Sequence, residues 1–313
     1  MTSSNALIAL YNLEPHIFNV AMMKVAQYHK QKGDIVEIYN PFQKEDYDKI
    51  YAFSIYDFTD KAYVTKEMIC GGTGFDISIR LPTEIDNCDY DYSIFPQCDY
   101  SMIWFSKGCI RNCKWCVVRR KEGLIQSVSP KNLNPKGQHI KVMDNNFFAN
   151  LKWREAIKQL QEWKQPVDFQ GVDVRLLDEE KCKALNSLKH YKQVHIAWDD
   201  PEQDLLPKLK EVTNWIKPYK LMCYVLIGYN STEEQDLYRI ESLRSIKIDP
   251  FVMPFNKQCR YQKDFARWVN HKAIFRKVKW QDYNKKEVKS GCDANDDGIP
   301  PKTKVLGILP NEL

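Results

Sequence analysis

The chain of 313 residues has no long apolar run, and this absence argues against one large class of protein. Its longest apolar stretches are IWF near residue 103 and YVLIG near residue 224, whereas a membrane-spanning helix needs about 20 apolar residues. We also expect no secretory signal, because the first residues carry no basic segment and Asn12, Glu14 and Pro15 interrupt their apolar run. We therefore expect no membrane span and a cytoplasmic location.

Cysteine is scarce for a chain of this length, and the ten residues present are too few for a disulfide scaffold. In the absence of an export signal, we expect their thiols to stay reduced. The chain contains one CxxC pair and no second one. Apolar residues make up 43% and charged residues 28%, which is enough to bury a core and excludes a disordered chain.

The predicted elements divide the chain into two α/β units. Residues 1–98 follow βαβ order, which is typical of a small parallel sheet, and 86–96 is a predicted linker. Their predicted elements are strands at 6–11, 35–40 and 51–56 and a helix over 15–32 that ends at Gly33. Residues 99–256 alternate strands with helices, which indicates a parallel, barrel-like sheet with its chemistry at the carboxyl ends of the strands. The strands of this second unit are predicted at 101–105, 139–143, 167–173, 193–198, 220–227 and 250–255.

Positive charge is concentrated near the end of the chain. The formal net charge is +5, and residues 257–290 carry eleven Lys and Arg against three acids. Aromatic residues alternate with these charges, a pattern that suits single-stranded nucleic acid or an acidic partner. Phe265, Trp268, Val269 and Lys272 also lie at helical spacing, which predicts instead a helix with an aromatic side in the core and a basic side in solvent.

One loop carries a strong chemical signal. The segment SKGCIRNCKWC places Cys109, Cys113 and Cys116 within eight residues, directly after the first strand of the second unit. Three such thiols can face one inorganic centre, and Gly108 permits the tight chain path around it. A structural zinc ion and a cubane iron–sulfur cluster each normally take four protein ligands, so three cysteines leave one iron open for chemistry. The candidates for a distant fourth zinc ligand are Cys70, Cys88 and Cys98.

This spacing and setting resemble the radical S-adenosylmethionine (radical SAM) superfamily, and the resemblance covers residues 99–256. It implies a partial (β/α)6 barrel in which the three cysteines bind a [4Fe–4S] cluster. The open iron would chelate S-adenosylmethionine, whose reductive cleavage gives a 5′-deoxyadenosyl radical that abstracts hydrogen from a substrate. The resemblance also implies an electron donor such as flavodoxin or ferredoxin, and it places Trp115 beside the adenine.

The resemblance extends to the ends of the later strands, where it implies contacts to S-adenosylmethionine. Asp144 and Asn145 stand where an acid receives the ammonium group, although an Asx turn or a helix cap explains them as well. The segment FQGVDVRLL offers Gln170 and Arg175, and Arg175 would either hold the carboxylate or pair with Asp173 inside the barrel. Alternation along this strand predicts that Asp173 and Arg175 share one face. The remaining implied contacts are Asp199 to the ribose, or a turn, and Gly228 and the backbone of Met253 to the adenine, or plain core.

Residues 1–98 resemble the cobalamin-binding-like domain that precedes the barrel in one branch of the superfamily. The expected architecture is therefore a small Rossmann-like α/β domain followed by the barrel. The segment is short, and it lacks the Asp-x-His-x-x-Gly run that would supply an axial histidine; His16 and His29 do not lie in such a run. We expect a degenerate domain that does not bind cobalamin.

Taken together, these features predict a radical SAM enzyme whose substrate the sequence leaves undetermined. The basic segment favours a nucleic acid or a phosphorylated molecule as the substrate. The alternative is a non-catalytic metal-binding module that uses the barrel to bind nucleic acid. The predicted domains are 1–98, 99–256 and 257–313, the last being a basic helical extension with a loose tail over 291–313.

Overall fold

The computed structural model describes residues 5–283 and has a mixed α/β fold with parallel sheets. Residues 1–4 and 284–313 lie outside the described residues, and with them the rest of the predicted basic extension and its tail. The elements of the first unit are β1 (Leu7–Asn12), α1 (Val20–Gln31), β2 (Ile35–Ile38), β3 (Lys49–Phe53), β4 (Ile69–Gly71) and α2 (Thr83–Asp86). Their strands form one parallel sheet in the order β2-β1-β3-β4.

The first helix ends just before Gly33, as predicted, but it begins at Val20 rather than at residue 15. The Asn19 side chain caps α1 by accepting a hydrogen bond from the Met22 amide, and Gly33 follows the helix with a φ of +88°. Strand β4 was not predicted, because Ile69–Gly71 is short and runs into the glycine-rich segment. Cys70, expected in a loop, lies in this strand.

The predicted linker at 86–96 is wrong, because its aromatic side chains pack into the core beside α1. Tyr90, Tyr92 and Phe95 are buried there together with Met22 and Met102. The Tyr92 hydroxyl also accepts a hydrogen bond of 3.0 Å from the Met102 amide, at the start of the second unit. The segment is therefore part of the packed structure that joins the two sheets.

The second unit contains six parallel strands that follow one another in chain order. These six strands are β5 (Tyr100–Ile103), β8 (His139–Val142), β9 (Val167–Phe169), β10 (Val194–Ala197), β11 (Leu221–Ile227) and β12 (Asp249–Pro254). The two short strands β6 (Ser106–Lys107) and β7 (Gln126–Ser127) form a separate antiparallel pair. Strands β5-β8-β9 and β10-β11-β12 form two parallel sheets, and isolated parallel bridges link Val167 to His190 and Val172 to Ile196. Because neighbouring strands run the same way, their carboxyl ends lie along one edge.

The helices that lie between these strands and after the last of them pack against the sheets. They are α3 (Val118–Glu122), α4 (Trp153–Trp163), α5 (Glu179–Asn186), α6 (Leu206–Val212), α7 (Glu233–Ser245), α8 (Arg260–Asn270), α9 (Lys272–Lys277) and α10 (Trp280–Tyr283). Helix α7 starts at a reciprocal capping box, in which the side chains of Thr232 and Gln235 each accept a hydrogen bond from the other's backbone amide. Among the described residues, no helix has the length and apolar character that a membrane span requires.

The predicted strand at 167–173 ends four residues early. After Phe169 the chain turns, and the Asp173 side chain caps a short 3₁₀ turn at Val174–Leu176. At Gly171 the backbone passes so close to that of Asp144 that a Cβ would lie 2.2 Å from the Asp144 carbonyl oxygen. The alternation expected for Asp173 and Arg175 is therefore wrong, because these residues are not in a strand.

The described part of the basic extension packs on the second unit through its aromatic residues. Phe265, Trp268, Phe275 and Trp280 are buried in the same core as the sheet, so they offer no surface for stacking bases. Helix α8 ends at Asn270, before Lys272. All eight Lys and Arg between 257 and 279 are exposed. The predicted helix with a buried aromatic side and a solvated basic side is thus confirmed for α8.

Candidate functional site

The cysteine loop leaves the carboxyl end of β5 and is closed at its base by the β6–β7 pair. Gly108 adopts a φ of +80°, and a Cβ there would lie 2.4 Å from the Leu124 carbonyl oxygen. The Cys109 amide donates to the Gly123 carbonyl at 3.3 Å. Glycine is required at position 108 because both the backbone angle and the neighbouring chain exclude a side chain.

Two hydrogen-bond donors point at the first sulfur of the loop. The Arg111 amide lies 3.3 Å from Cys109 Sγ, and Asn146 Nδ2 lies 4.0 Å from it. Asn146 is buried, and its Oδ1 has no hydrogen-bond partner among residues 5–283. Such donors commonly surround sulfur ligands of metal centres, so this environment suits a cluster ligand.

The other two thiols lie near each other and near charged side chains. Burial, together with the adjacent Cys116 and Cys109, raises the pKa of Cys113 to about 11, and Arg175 opposes this rise. Burial likewise raises the pKa of Cys116. Both thiols are thus protonated at neutral pH, and a cationic centre would be needed to hold them as thiolates. Within residues 5–283, no three His, Cys, Asp or Glu side chains are gathered so as to hold a metal ion.

Asp144 is turned away from the edge of the sheet. Its carboxylate accepts hydrogen bonds from the Phe105 amide at 2.8 Å and from Ser106 Oγ at 2.5 Å, and only 1% of the residue is exposed. Burial raises the pKa of Asp144 to about 6. The side chain therefore ties β8 to the strand that leads into the cysteine loop, and both of its oxygens are already engaged.

Asn145 and Glu122 form a second tie between the end of β8 and the loop. Glu122 Oε2 accepts hydrogen bonds from Asn145 Nδ2 at 2.8 Å and from the Gly108 amide at 2.7 Å. Glu122 is the last residue of α3, six positions after the third cysteine. One carboxylate thus fixes both the start of the cysteine loop and the neighbouring strand end.

Asp173 organises the charged side chains at the end of β9. Its carboxylate pairs with Arg175 Nε at 2.7 Å and with Arg111 Nε at 2.9 Å, and it accepts from Asn146 Nδ2 at 3.3 Å. Arg175 also donates to Gln203 Oε1 at 2.9 Å. The predicted Asp173–Arg175 pair is therefore confirmed, and Arg175 could hold a ligand carboxylate only with donors that these contacts leave over. Gln170 is half-buried, and its backbone N–H donates to the Val142 carbonyl at 2.9 Å, which continues the hydrogen bonding between β8 and β9.

Asp199 lies at the end of β10 and faces the same region. Its Oδ1 accepts a hydrogen bond of 3.1 Å from the Leu226 amide. Burial raises the pKa of Asp199 to about 6, and Arg239 and Arg175 oppose this rise. Asp199 also adds to the electrostatic cost of ionising Cys113 and Cys116, so it lies within reach of the sulfur loop.

The ends of β11 and β12 contribute aromatic rings. Trp115, in the cysteine loop, contacts the Tyr229 ring edge-on at 5.5 Å between centroids, and Tyr229 contacts Phe255 at 4.9 Å. Gly228 has a φ of +75° and lies beneath the Gln262 side chain, which would be 1.9 Å from a Cβ. Met253 is half-buried and pairs with Leu226 in the sheet. Gly228 is thus covered by α8, whereas Trp115 packs edge-on against Tyr229 at the ends of β11 and β12.

Four residues of this edge were missed by sequence reasoning. They are Arg111, Glu122, Asn146 and Tyr229. Three of them lie within five residues of a predicted site residue, but their types also occur on any polar loop. Their position after a strand end is the one available signal, because chemistry in parallel α/β units gathers there.

The corresponding edge of the first sheet is filled by the chain itself. Strand order reverses between β1 and β3, the place where parallel α/β sheets bind ligands. The buried Glu14 carboxylate lies there and accepts hydrogen bonds from Ser54 Oγ at 2.9 Å, the Ile55 amide at 3.1 Å, the Tyr56 amide at 3.2 Å and Thr59 Oγ1 at 2.5 Å. A side-chain carboxylate therefore takes the donors that an anionic ligand would use.

Comparison with known proteins adds no family assignment. No protein-family model matches the chain, and no curated protein matches it.

Proposed function

We propose that the chain is a radical SAM enzyme, with a [4Fe–4S] cluster bound by Cys109, Cys113 and Cys116. The observation that carries the proposal is the meeting of the cysteine loop with the ends of the following strands. Arg175 and Asp199 lie near Cys113, and Trp115 reaches Tyr229. We further propose that the six parallel strands form the partial (β/α)6 barrel of that superfamily, after a small Rossmann-like domain over 1–98.

The donor set suits such a cluster in two respects. The Arg111 amide and Asn146 Nδ2 point at Cys109 Sγ, where they would stabilise a thiolate. A cubane cluster binds each thiolate at a different iron, so its ligands lie farther apart than those of one ion. When bound, the reduced cluster supplies the electron that cleaves S-adenosylmethionine, and the 5′-deoxyadenosyl group released takes hydrogen from the substrate.

The chain's own residues would bind and orient S-adenosylmethionine. Asp173 holds Arg175 in place, and the outer donors of Arg175 can meet a carboxylate. Asp199 can accept from ribose hydroxyls, and the rings of Trp115 and Tyr229 can flank the adenine. Asn145 stands nearest the predicted ammonium position, whereas Asp144 supports the loop from below. An electron donor such as flavodoxin or ferredoxin completes the proposal, without cobalamin.

Anaerobic reconstitution with ferrous iron and sulfide tests this proposal. We expect the protein to acquire visible charge-transfer absorbance and to form 5′-deoxyadenosine from S-adenosylmethionine under a strong reductant. Cys113→Ala should lose both, because a site with two thiolates no longer holds the cluster. Cys70→Ser, in the first sheet, is the matched control and should retain both.

The same experiment separates the alternative of a metal-binding module for nucleic acid. Tight zinc binding without visible absorbance and without 5′-deoxyadenosine would support the module and contradict the enzyme. The aromatic residues that suggested base stacking are buried, so the exposed basic side of α8 is what remains for an acidic partner. For this reason the enzyme is the better supported of the two.

A further inference from the structure

The helices that follow the last strand carry a dense set of exposed positive charges. Residues 256–283 contain eight Lys and Arg against two acids. On α8, Arg260, Lys263 and Arg267 recur at helical spacing and lie on one side, opposite the buried aromatic side. We call the eight exposed cations of this segment the basic surface: Lys257, Arg260, Lys263, Arg267, Lys272, Arg276, Lys277 and Lys279.

Most of these cations lack the carboxylate partner that cations have on other helices. Within residues 5–283, only Arg260 and Lys272 have one, at 3.6 Å and 2.6 Å. On α5 and α7, by contrast, every Lys and Arg pairs with an acid three or four residues before it. Like charges three or four residues apart destabilise a helix, as between Lys263 and Arg267. A bound polyanion would relieve this repulsion.

The basic surface contains no exposed large apolar side chain. In the part of the chain that the structure describes, the last such residue is Tyr238, in α7. Protein interfaces bury an apolar and aromatic core from which charged residues are depleted, and helices that lie on a membrane insert Trp, Phe or Leu. The aromatic side of α8 is instead buried in the protein's own core. The surface therefore suits a partner recognised by charge alone, as the phosphate backbone of a nucleic acid is.

The basic surface begins beside the candidate site. Strand β12 ends at Pro254, and the Gln262 side chain accepts a hydrogen bond of 2.8 Å from the Asn256 amide, so the first turn of α8 lies at the carboxyl edge. Phe255 contacts Tyr229, whose ring meets Trp115 of the cysteine loop. The first cations of the surface thus stand next to the proposed site.

From this edge the basic surface runs back along β12. Asn270, the last residue of α8, exchanges two hydrogen bonds with the backbone of Val252 at 2.8 and 3.0 Å. Lys272 pairs with Asp249, the first residue of the strand. A strand of six residues spans about 17 Å at about 3.3 Å per residue. Stacked nucleotides advance about 3.4 Å each, so the surface can contact about five phosphates.

We propose that the basic surface binds the phosphate backbone of a single-stranded nucleic acid and leads the strand to the carboxyl edge, where one nucleotide is the substrate. This proposal rests on the enzyme proposed above and names its substrate class. The strand is single because a nucleotide stacked inside a duplex is out of reach of an enzyme site. Since the aromatic rings of α8 are buried, binding by this surface depends on charge and not on base sequence.

The first test measures, by fluorescence anisotropy, how the iron-free chain binds a fluorescein-labelled oligouridylate. The triple variant Lys263→Gln, Arg267→Gln, Arg276→Gln removes three exposed cations that have no carboxylate partner within residues 5–283. At about 0.1 M salt we expect its Kd to rise at least about tenfold. The slope of log Kd against log salt concentration should fall by about 2, at about 0.7 per phosphate contact.

The matched control removes the same charge from exposed positions outside the basic surface. It is the triple variant Lys152→Gln, Lys158→Gln, Lys189→Gln, and its Kd and salt slope should stay close to those of the unchanged protein. Equal weakening in the two variants, or no binding of the oligouridylate, would overturn the proposal. Displacement by polyglutamate as effective as that by unlabelled oligouridylate would assign the surface to an acidic protein and overturn it as well.

The second test follows the path of the strand. An oligouridylate containing 4-thiouridine is crosslinked to the iron-free chain by ultraviolet light, and the modified peptides are identified by mass spectrometry. We expect crosslinks both in 256–279 and in the cysteine loop, and a lack of crosslinks in either segment would overturn the proposal. Neither test depends on iron, so a chain that passes both but forms no 5′-deoxyadenosine would contradict the enzyme while supporting the binding surface.

Discussion

The two parallel regions of this protein use their carboxyl edges in opposite ways. In the first sheet Glu14 fills the edge and takes four donors from the loop after β3. In the second unit the edge carries the cysteine loop, a charged network around Asp173 and unpaired polar atoms such as Asn146 Oδ1. The comparison shows that the carboxyl edge of a parallel sheet can be satisfied by a side chain of the protein itself or can keep unpaired polar groups. Which of the two occurs depends on whether the chain supplies its own hydrogen-bond acceptor.

The largest effect should come from the buried pair that supports the second edge. Arg239 pairs with Asp236 at 2.6 Å and donates to the Trp198 and Asp199 carbonyls at 3.0 and 3.2 Å. Arg239→Met leaves the buried Asp236 carboxylate without its cation, although the Tyr261 hydroxyl still donates to it at 3.0 Å. We therefore expect the free energy of unfolding in urea to fall by about 3 to 5 kcal/mol. Arg154→Met, which breaks the exposed pair with Glu180, is the control and should cost less than about 1 kcal/mol. Equal losses in the two variants would contradict this account.

The next largest effect should show whether the carboxyl edge of the first sheet acts independently of the edge of the second unit. Glu14→Ala leaves the donors around Ser54 and Thr59 without their shared acceptor, so we expect a loss of about 3 kcal/mol in the free energy of unfolding. Iron and sulfide loading of the folded variant should match that of the unchanged protein, because Glu14 lies on the other sheet. Loss of the visible absorbance at unchanged folding would show that the two edges are coupled.

Asp144 makes the second unit sensitive to pH. Its pKa is raised by burial to about 6, above the ordinary value of an unfolded aspartate, so the folded chain binds the proton more tightly. Protonated Asp144 therefore adds about 2 to 3 kcal/mol to the free energy of unfolding below about pH 4. This contribution is lost as the pH rises to about 6. Relative to Asp144→Asn, the unchanged protein should therefore lose stability between pH 4 and 6 in urea titrations. A constant difference over that window would exclude a raised pKa at Asp144.

The smallest effects are expected from three glycine substitutions, two of them beside the cysteine loop and one in the first sheet. Gly108→Ala meets both a positive φ and the Leu124 backbone, so we expect a loss of about 2 kcal/mol together with loss of iron loading. Gly123→Ala meets open space, but its φ of +79° and ψ of −153° lie in a region that is nearly restricted to glycine, so it should cost about 1 kcal/mol. Gly71→Ala, at the end of β4, meets nothing within 4 Å and should change stability by less than about 0.5 kcal/mol. A different ranking in urea unfolding would refute the steric argument at Gly108.

Local patterns predicted most of the regular elements, because they depend on neighbouring residues. The apolar run at 220–227 predicted β11 to within one residue. The strand at 167–173 failed because its end is decided by the close approach of Gly171 to the Asp144 backbone, which is remote in sequence. The aromatic residues of 86–96 were assigned to a linker because their burial against α1 leaves no local trace.

The sequence by itself determined the parallel α/β class, the cysteine loop and its place after the first strand of the second unit, since each depends on spacing along the chain. The tertiary structure decided that Asp144 supports the loop from beneath, that Glu122 and Asp173 connect separate strand ends, and that Phe255 and Tyr229 bring the start of α8 to the cysteine loop. These contacts join residues tens of positions apart. Only the register and the turning of the chain bring such groups within hydrogen-bond reach, and neither is encoded in any short stretch of residues.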